Sequence, residues 1–167
     1  MKDAPSVIVE KKTEDPAREA ATRVVRLSWP HLILGAIGFA ISLYALIVHV
    51  RIKQGGESGC GFTETINCDK VLTSAYGEFF HIPLGALGMA FFATVILTAI
   101  TTGPLDLPAR RIAAPRLVVA TAGLAASLVL SYISFVKIRA ACPICVATHV
   151  TTLLIFLVSL VGYWKAR

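Results

Sequence analysis

Charged residues are absent from four long, predominantly apolar stretches of the chain. These stretches cover residues 27–50, 79–105, 117–136 and 140–164. Each reaches the roughly 20 residues that an α-helix needs to cross the hydrocarbon layer of a bilayer. Since one charged side chain at the centre of such a helix costs about 2.5–3.5 kcal/mol on insertion, four uncharged stretches are typical of a membrane protein. The pattern predicts an all-α membrane protein, a four-transmembrane-helix bundle with spans at about 29–50, 82–102, 116–136 and 141–163.

The segments outside these spans are short. The longest are a loop over residues 51–81, which contains two of the cysteines, and an N-terminal tail over residues 1–28. The tail mixes acidic and basic residues and precedes an apolar segment longer than the about 7–15 residues of a signal-peptide core. We therefore do not interpret it as a signal peptide, and we expect it to be disordered or loosely helical at the membrane surface.

Composition supports the membrane interpretation and narrows the possible partners. The chain has 167 residues, of which 56% are hydrophobic and 16% charged, and its mean hydropathy is +0.72. A typical soluble domain carries about 25% charged residues. The basic residues that produce the net charge of +6 flank the predicted spans and form no groove-like pattern. We expect a lipid bilayer around the protein and no nucleic-acid partner.

Lysine and arginine residues are divided unevenly between the two sides of the predicted bundle. With four spans both termini lie on one side, which also receives the arginines of the connection between the second and third spans. By the positive-inside rule this more basic side is cytoplasmic. We therefore expect a multi-pass protein of the cell (inner) membrane with both termini in the cytoplasm. Both cysteine pairs then lie on the extracytoplasmic side, where disulfides persist.

The fourth span begins with the sequence Cys142-Pro143-Ile144-Cys145. Cysteines three residues apart share one face of a helix and can close a disulfide or open to a dithiol. Pro143 suits the first helical turn, whose free N–H groups and positive dipole end favour a thiolate. Because a thiolate is the attacking species in thiol–disulfide exchange, we predict a redox-active pair. A structural disulfide at the helix end is the alternative.

A second pair, Cys60 and Cys68, lies in the polar loop. Glycines surround Cys60 and predict a mobile backbone. Residues 63–72 are expected to form a short helix capped by Thr63 or Thr65. One cysteine in a flexible run and one on a firmer segment suit a shuttle between a soluble partner and the CxxC pair. A fixed disulfide that closes the loop is the alternative.

The motifs around these cysteines resemble the vitamin K epoxide reductase family, most closely its bacterial members. The resemblance rests on Cys60, on CDKVLTSAYG at 68–77, on IPLGALG at 82–88 and on CPICV at 142–146. It covers about residues 30–164 and leaves the tail outside. Two cysteine pairs in this order, with a serine after the loop pair, make it specific.

The resemblance implies a four-helix membrane bundle around a quinone, which would be menaquinone, ubiquinone or phylloquinone-like. Bacterial members oxidise a thioredoxin-like or DsbA-like partner in the periplasm and pass two electrons to a membrane quinone. Carried over residue by residue, Cys142 and Cys145 would be the active-site pair, with Cys145 facing the quinone. Cys60 and Cys68 would be the shuttle pair, and Ser74 would match the family's loop serine. This chain has no fused thioredoxin-like domain, so the partner is expected to be a separate protein.

His149 shares the helix face of Cys142 and Cys145, at positions n, n+3 and n+7. An imidazole within a membrane bundle is costly and usually functional, so we predict that it hydrogen-bonds a quinone carbonyl or relays a proton. Packing against a neighbouring helix is the alternative. Animal members have a tyrosine at this position and an amide where Leu84 aligns. Quinone reduction is therefore favoured here over epoxide reduction, which stays open as an alternative activity.

The remaining histidines and phenylalanines are weaker candidates. His81, at the start of the second span, and Phe91, within it, are predicted to line the quinone pocket, whereas His31 and His49 are expected at the membrane interfaces. Small-residue faces formed by glycines are interpreted as close helix packing.

Two rival functions remain open. One is a structural zinc site formed by the four cysteines, which their spacing and an oxidising compartment disfavour, so no metal is expected. The other is a non-catalytic membrane protein with structural disulfides.

Overall fold

The computed structural model describes residues 16–61, 63–101 and 109–166, and it describes the side chains of 29–61, 63–101 and 111–166. Within these described residues the fold consists of five α-helices, one π-helical segment and one two-stranded hairpin. Their bounds in chain order are α1 Pro16–Lys53, α2 Cys68–Leu72, β1 Glu78–Phe79, β2 Ile82–Pro83, α3 Leu84–Thr101, α4 Ala109–Tyr132, the π-helix Ile133–Ile138 and α5 Pro143–Lys165. The expected tail lies outside the described residues up to position 15, and its backbone is helical from Pro16 onward.

In the part of the chain that the structure describes, four helical segments are long and apolar enough to cross a membrane, which confirms the predicted fold class. They are Trp29–Lys53, Leu84–Thr101, Arg111–Ile138 and Pro143–Lys165. Apolar side chains on every segment are more than half exposed, as lipid contact requires, among them Ile47, Leu97, Val118 and Val161. Arg111 and Arg116, which the charge pattern placed in the connection, lie within α4. The protein is a multi-pass membrane protein.

The helices α1 and α3 pack closely because glycines leave room for backbone and for an aromatic ring. A Cβ atom on Gly85 would lie 2.7 Å from the backbone nitrogen of Leu46, and one on Gly88 would lie 2.7 Å from Ser42 Oγ. Gly38 of α1 faces the ring of Phe92 in the same way. The small-residue faces are therefore helix contacts, as predicted.

The membrane-embedded core combines residues from α3, α4 and α5. Phe92, Val95, Ala120 and Ile155 are all at most 3% exposed and form one apolar cluster. This cluster packs α3, α4 and α5 together near the middle of the bundle.

Polar side chains are buried at the end of the bundle where α5 finishes. His31 Nε2 lies 2.9 Å from Ser159 Oγ, and this contact joins α1 to α5. Arg116 is 4% exposed and donates to the carbonyl oxygen of Thr98 at 3.4 Å, near the C-terminal end of α3. His31 and His49, both expected at the membrane interfaces, are each 3% exposed inside the bundle.

The opposite end, at which α1 finishes and both α3 and α5 begin, carries the four cysteines and is called the cysteine end. The loop helix α2 is shorter than expected and begins at Cys68. Its N-cap is Asn67, whose Oδ1 accepts from Lys70 N at 3.0 Å, so neither Thr63 nor Thr65 caps it. Thr63 Oγ1 instead accepts from Ile66 N within the preceding turn. The hairpin of β1 and β2 then leads directly into α3.

Candidate redox site

The first turn of α5 presents a cysteine as its own N-cap. Cys142 has extended backbone angles, and its Sγ accepts a hydrogen bond from Cys145 N at 3.4 Å. Pro143 occupies the first helical turn, as predicted, where a missing N–H removes no helical hydrogen bond. The Cys142 sulfur therefore lies at the positive end of the α5 dipole, among free backbone donors.

The hydrogen bonds at this helix terminus change the acidity of Cys142. The largest influence is the Cys145 thiol, whose hydrogen bond to the Cys142 sulfur lowers the Cys142 pKa to about 7 from 9.0. Backbone N–H groups of Cys145 and Ile144 act in the same direction, while burial opposes them. Since the thiolate is the nucleophile in exchange, Cys142 is the cysteine prepared to attack a disulfide.

The loop cysteines are joined to each other. Cys60 and Cys68 form a disulfide with their Cα atoms 5.7 Å apart, whereas Cys142 and Cys145 are free thiols. Cys60 lies in an irregular segment, and Cys68 is the first residue of α2. The structure thus holds one oxidised pair and one reduced pair at the same end of the bundle.

The two pairs meet through Cys68 and Cys142. Their Sγ atoms are 3.2 Å apart, although the residues are 74 positions apart in the chain. Cys68 is fully buried and Cys142 is 1% exposed. Cys60 and Cys145 pack around this contact as partly buried neighbours. An attack of the Cys142 thiolate on Cys68 needs little movement, because the sulfurs are already in contact.

Backbone pairing holds the loop against the start of α5. Ala141 N donates to Thr65 O at 2.7 Å, and Asn67 N donates to Ala141 O at 3.1 Å, which forms a short parallel bridge. Asn67 directly precedes Cys68, and Ala141 directly precedes Cys142. The bridge therefore fixes the residue before each of the two contacting cysteines.

An apolar layer covers the sulfur contact from the side of α1. Val48 of α1, Val71 and Leu72 of α2, and Ala140 are all at most 8% exposed and share one cluster with Cys68 and Cys142. The π-helix and Arg139, which has a φ of 54°, turn the chain so that Ala140 reaches this cluster. Exclusion of water from the sulfurs follows from this packing.

The four residues predicted to contact a quinone are not brought together. His149 is half-buried on α5 and shares the helix face of Cys145, one turn further into the bundle. Ser74 Oγ donates to Val71 O at 2.7 Å and so stabilises the end of α2. His81 is exposed in the hairpin turn with a φ of 65°. Phe91 belongs to the mid-depth apolar cluster and faces Gly123 of α4.

His149 fits a quinone best among these residues. None of the described side chains hydrogen-bonds to its imidazole, so its ring nitrogens are available to a polar group inside an otherwise apolar region. Cys145 and His149 would together lie along one side of the quinone ring. Ser74 already uses its hydroxyl hydrogen, and His81 is exposed in the hairpin turn.

A groove among the described residues is not a continuation of this site. A groove of about 490 Å³ runs between α1 and α5, lined by Ala40, Ile41, Tyr44, Pro143, Ile144 and Ala147. At about 100° per residue, its α5 residues lie roughly half a turn around the helix from Cys145 and His149. The groove opens on the outer surface of the bundle, so we assign it to lipid contact.

Several contributors to the site were missed from sequence alone. Asn67 had a usable signal, because asparagine before a short helix is a favoured N-cap. The backbone groups of Thr65 and Ala141 had none, since the bridge between them depends on the tertiary fold. The contact of His49 with Glu78, described below, also links residues that no local pattern relates.

A four-helix membrane bundle that brings a dithiol into contact with a disulfide defines the protein as a membrane redox enzyme. The model of the vitamin K epoxide reductase family matches residues 29–160, so the chain belongs to that family. The match covers all four cysteines, the first three membrane segments and the fourth as far as residue 160. A search of the curated proteins finds no significant match.

Proposed function

We propose that the protein generates disulfides in a separate thioredoxin-like or DsbA-like protein and delivers the electrons to a membrane quinone. The observation that supports this most directly is the 3.2 Å contact between the Cys68 and Cys142 sulfurs, with the loop pair oxidised and the CxxC pair reduced. This is the state expected after electrons have moved from the loop to the CxxC pair and before they leave the protein.

The first step oxidises the partner. A partner thiolate attacks the Cys60–Cys68 disulfide, most accessibly at Cys60, which is partly exposed whereas Cys68 is fully buried. The Cys60–Cys68 bond breaks, and a partner–Cys60 disulfide forms. The partner's second thiolate then attacks its own bridged sulfur and releases Cys60. The partner is left with a disulfide, and the loop is left with two thiols.

The second step moves two electrons within the chain. The Cys68 thiolate attacks Cys142 of a Cys142–Cys145 disulfide, which forms a Cys68–Cys142 bond and releases the Cys145 thiolate. Cys60 then attacks Cys68, re-forms the loop disulfide and releases Cys142. The low pKa of Cys142 makes it a good leaving group, since thiols of lower pKa leave faster.

The last step reoxidises Cys142 and Cys145. A quinone, when bound, supplies an acceptor for two electrons and two protons. On this chain Cys145 would face its ring, and His149 would hydrogen-bond a ring oxygen and supply a proton there. The surrounding apolar residues would keep water from the reactive sulfurs. Cys142 and Cys145 return to the disulfide, ready for the next transfer.

Quinone reduction by the purified protein in lipid, with a reduced thioredoxin-like donor, tests this function. Each of the four cysteine-to-serine variants is expected to lower turnover by at least about 10²-fold, because each breaks one exchange step. Cys145→Ser should also accumulate the Cys68–Cys142 disulfide. If the cysteines are only structural, the Cys145→Ser protein will reduce quinone at the wild-type rate, or the wild-type protein will not reduce quinone at all.

The same assay distinguishes the alternative activity of the family. Replacing the quinone by vitamin K epoxide, with a dithiol as reductant, measures epoxide reduction directly. We expect quinone reduction to exceed epoxide reduction, because His149 stands where animal members of the family have a tyrosine. Faster turnover of the epoxide would contradict the proposed electron acceptor, since the dithiol is oxidised in both reactions.

A further inference from the structure

A carboxylate of the hairpin meets two basic side chains near the end of α1. Glu78 Oε1 lies 3.0 Å from His49 Nε2, and Lys53 Nζ donates to the same oxygen. We call these residues, Glu78, His49 and Lys53, the Glu78 cluster. His49 is 3% exposed, so Glu78 is the polar partner that satisfies a buried imidazole. His49 and Lys53 are one helical turn apart and therefore reach the same carboxylate.

The same part of α1 also contacts the apolar cluster around Cys68 and Cys142. Val48 and Ile52, which neighbour His49 and Lys53 in the chain, pack in the cluster that contains Cys68 and Cys142. The hairpin carboxylate is thus attached to the segment of α1 against which α2 rests. A displacement of Glu78 relative to α1 would therefore also displace Cys68 relative to the α1 residues that pack against it.

The chain between α2 and Glu78 is folded tightly enough to transmit such a shift. Gly77 N donates to Ser74 O at 2.8 Å, and Ser74 Oγ donates to Val71 O at 2.7 Å. Gly77 lies so close to the carbonyl group of Leu72 that no side chain fits there. This turn connects the last residues of α2 rigidly to Glu78.

Cys68 is therefore held from both directions along the chain. The hydrogen bond from Asn67 N to Ala141 O fixes the residue before it, and the Glu78 cluster fixes the chain after it. We propose that Glu78 and His49 are positioning residues that keep Cys68 in contact with Cys142 for thiol–disulfide exchange. The inference rests on the thiol–disulfide relay proposed above. It assigns a positioning role in that relay to residues other than the cysteines.

The affected step can be isolated in a Cys145→Ser background. There the Cys142 thiolate attacks Cys68, the Cys60–Cys68 bond breaks, and the Cys68–Cys142 bond forms with release of the Cys60 thiolate. The reaction is an isomerisation within one chain, with no net oxidation and no need for quinone or partner. Its rate and equilibrium are followed by acid quenching, maleimide labelling of the free cysteine, and peptide mass spectrometry that shows whether Cys142 or Cys60 carries the label.

Glu78→Gln in this background is expected to slow the isomerisation by at least about tenfold, since a misplacement of about 1 Å can cost about 10²-fold in rate. Lys53→Gln should have a smaller effect in the same direction, because Lys53 is exposed and leaves the His49 bond in place. Glu64→Gln is the matched control, because Glu64 is an exposed acid of the same loop outside the Glu78 cluster. It should isomerise at the rate of the background protein.

A merely structural role predicts a different result. If Glu78→Gln disturbs the whole bundle, oxidation of Cys142 and Cys145 to a disulfide by an added small-molecule disulfide, in a Cys60→Ser/Cys68→Ser background, will slow by the same factor, and the proposal is overturned. An unchanged isomerisation rate in Glu78→Gln, or equal slowing in Glu64→Gln, overturns it as well. If the Cys145→Ser protein never forms the Cys68–Cys142 bond, the relay itself fails, which is a separate result.

Discussion

The sulfur atoms of Cys68 and Cys142 illustrate how much one contact determines at the scale of single residues. Both residues are at most 1% exposed, so neither is open to soluble thiols while the loop is in place. Cys60 and Cys145 are each more accessible than the cysteine they accompany. In the proposed relay, Cys60 and Cys145 would exchange with the partner and the quinone, while Cys68 and Cys142 exchange with each other.

The acidity of Cys142 gives the first prediction. In reduced protein with Cys60→Ser and Cys68→Ser, the thiolate absorbance near 240 nm should titrate with a midpoint near pH 7, because hydrogen bonds to Cys142 favour its thiolate. Adding Cys145→Ala removes the thiol whose hydrogen bond has the largest effect, so the midpoint should rise toward 9.0. A midpoint that does not move would show that Cys145 does not stabilise the thiolate.

At the scale of elements, the close packing of α1 on α3 depends on glycine. Gly85→Ala places a methyl group 2.7 Å from Leu46 N and 2.9 Å from Leu46 Cα, and this backbone cannot yield without moving α1. We expect a loss of about 1–3 kcal/mol in stability from such overpacking. Thermal unfolding in detergent measures it.

Gly61→Ala is the control for this substitution. The nearest atom to its new methyl group would be Asn67 Nδ2 at 3.7 Å, an ordinary van der Waals distance. Its unfolding midpoint should match that of the wild type. Equal midpoints for Gly85→Ala and the wild type would mean that α1 and α3 are not tightly packed in the membrane.

The loop elements should respond to acid through Glu78. Hydrogen bonds from Lys53 and then His49 lower the pKa of this carboxyl below 4.5. A group whose pKa is lower when folded adds stability above its unfolded pKa, and this stability is lost as the pH falls through the folded value. The difference in unfolding midpoint between wild type and Glu78→Gln should thus be constant above about pH 4.5 and shrink below it. A difference that grows in acid would contradict the assignment.

The elements also show which features a sequence can predict. Uncharged stretches and the proline after Cys142 are local signals, and they predict four spans and the start of α5. They suffice because a chain inside a bilayer must satisfy its own backbone hydrogen bonds, which favours helices. The hairpin has no such signal: its turn residues, Phe80 and His81, have φ values of 51° and 65°, where glycine and asparagine are preferred. The contact of Cys68 with Cys142 joins residues 74 positions apart and arises only when the helices assemble.

Not every candidate residue could be placed by analogy or by periodicity. The helical period correctly grouped Cys145 with His149, since both lie on one rigid element. It could not relate Ser74 or His81 to that element, because turns decide where those side chains point. The contact of His49 with Glu78 was not predicted for a similar reason: Glu78 belongs to a hairpin that no periodicity indicates.

At the scale of the whole molecule, all four cysteines lie at one end of the bundle, so the direction of insertion decides which compartment they face. Basic residues of the N-terminal part of α1, of the first turn of α4 and of the last turn of α5 lie at the other end. By the positive-inside rule we predict that this basic end is cytoplasmic. The cysteine end would then face the compartment in which disulfides persist.

Alkaline phosphatase fusions in a bacterial host test this orientation, since the enzyme is active only outside the cytoplasm. An insertion between Gly55 and Gly56 should be active, and the site should tolerate it because the surroundings of Gly55 are open. Fusions after Arg167, and in the connection between α3 and α4 as a matched control, should be inactive. The reverse pattern would expose the cysteine end to a reducing cytosol, where the Cys60–Cys68 disulfide would not persist. The proposed direction of electron flow requires an oxidised loop at the start of each cycle, so it would fail together with the orientation.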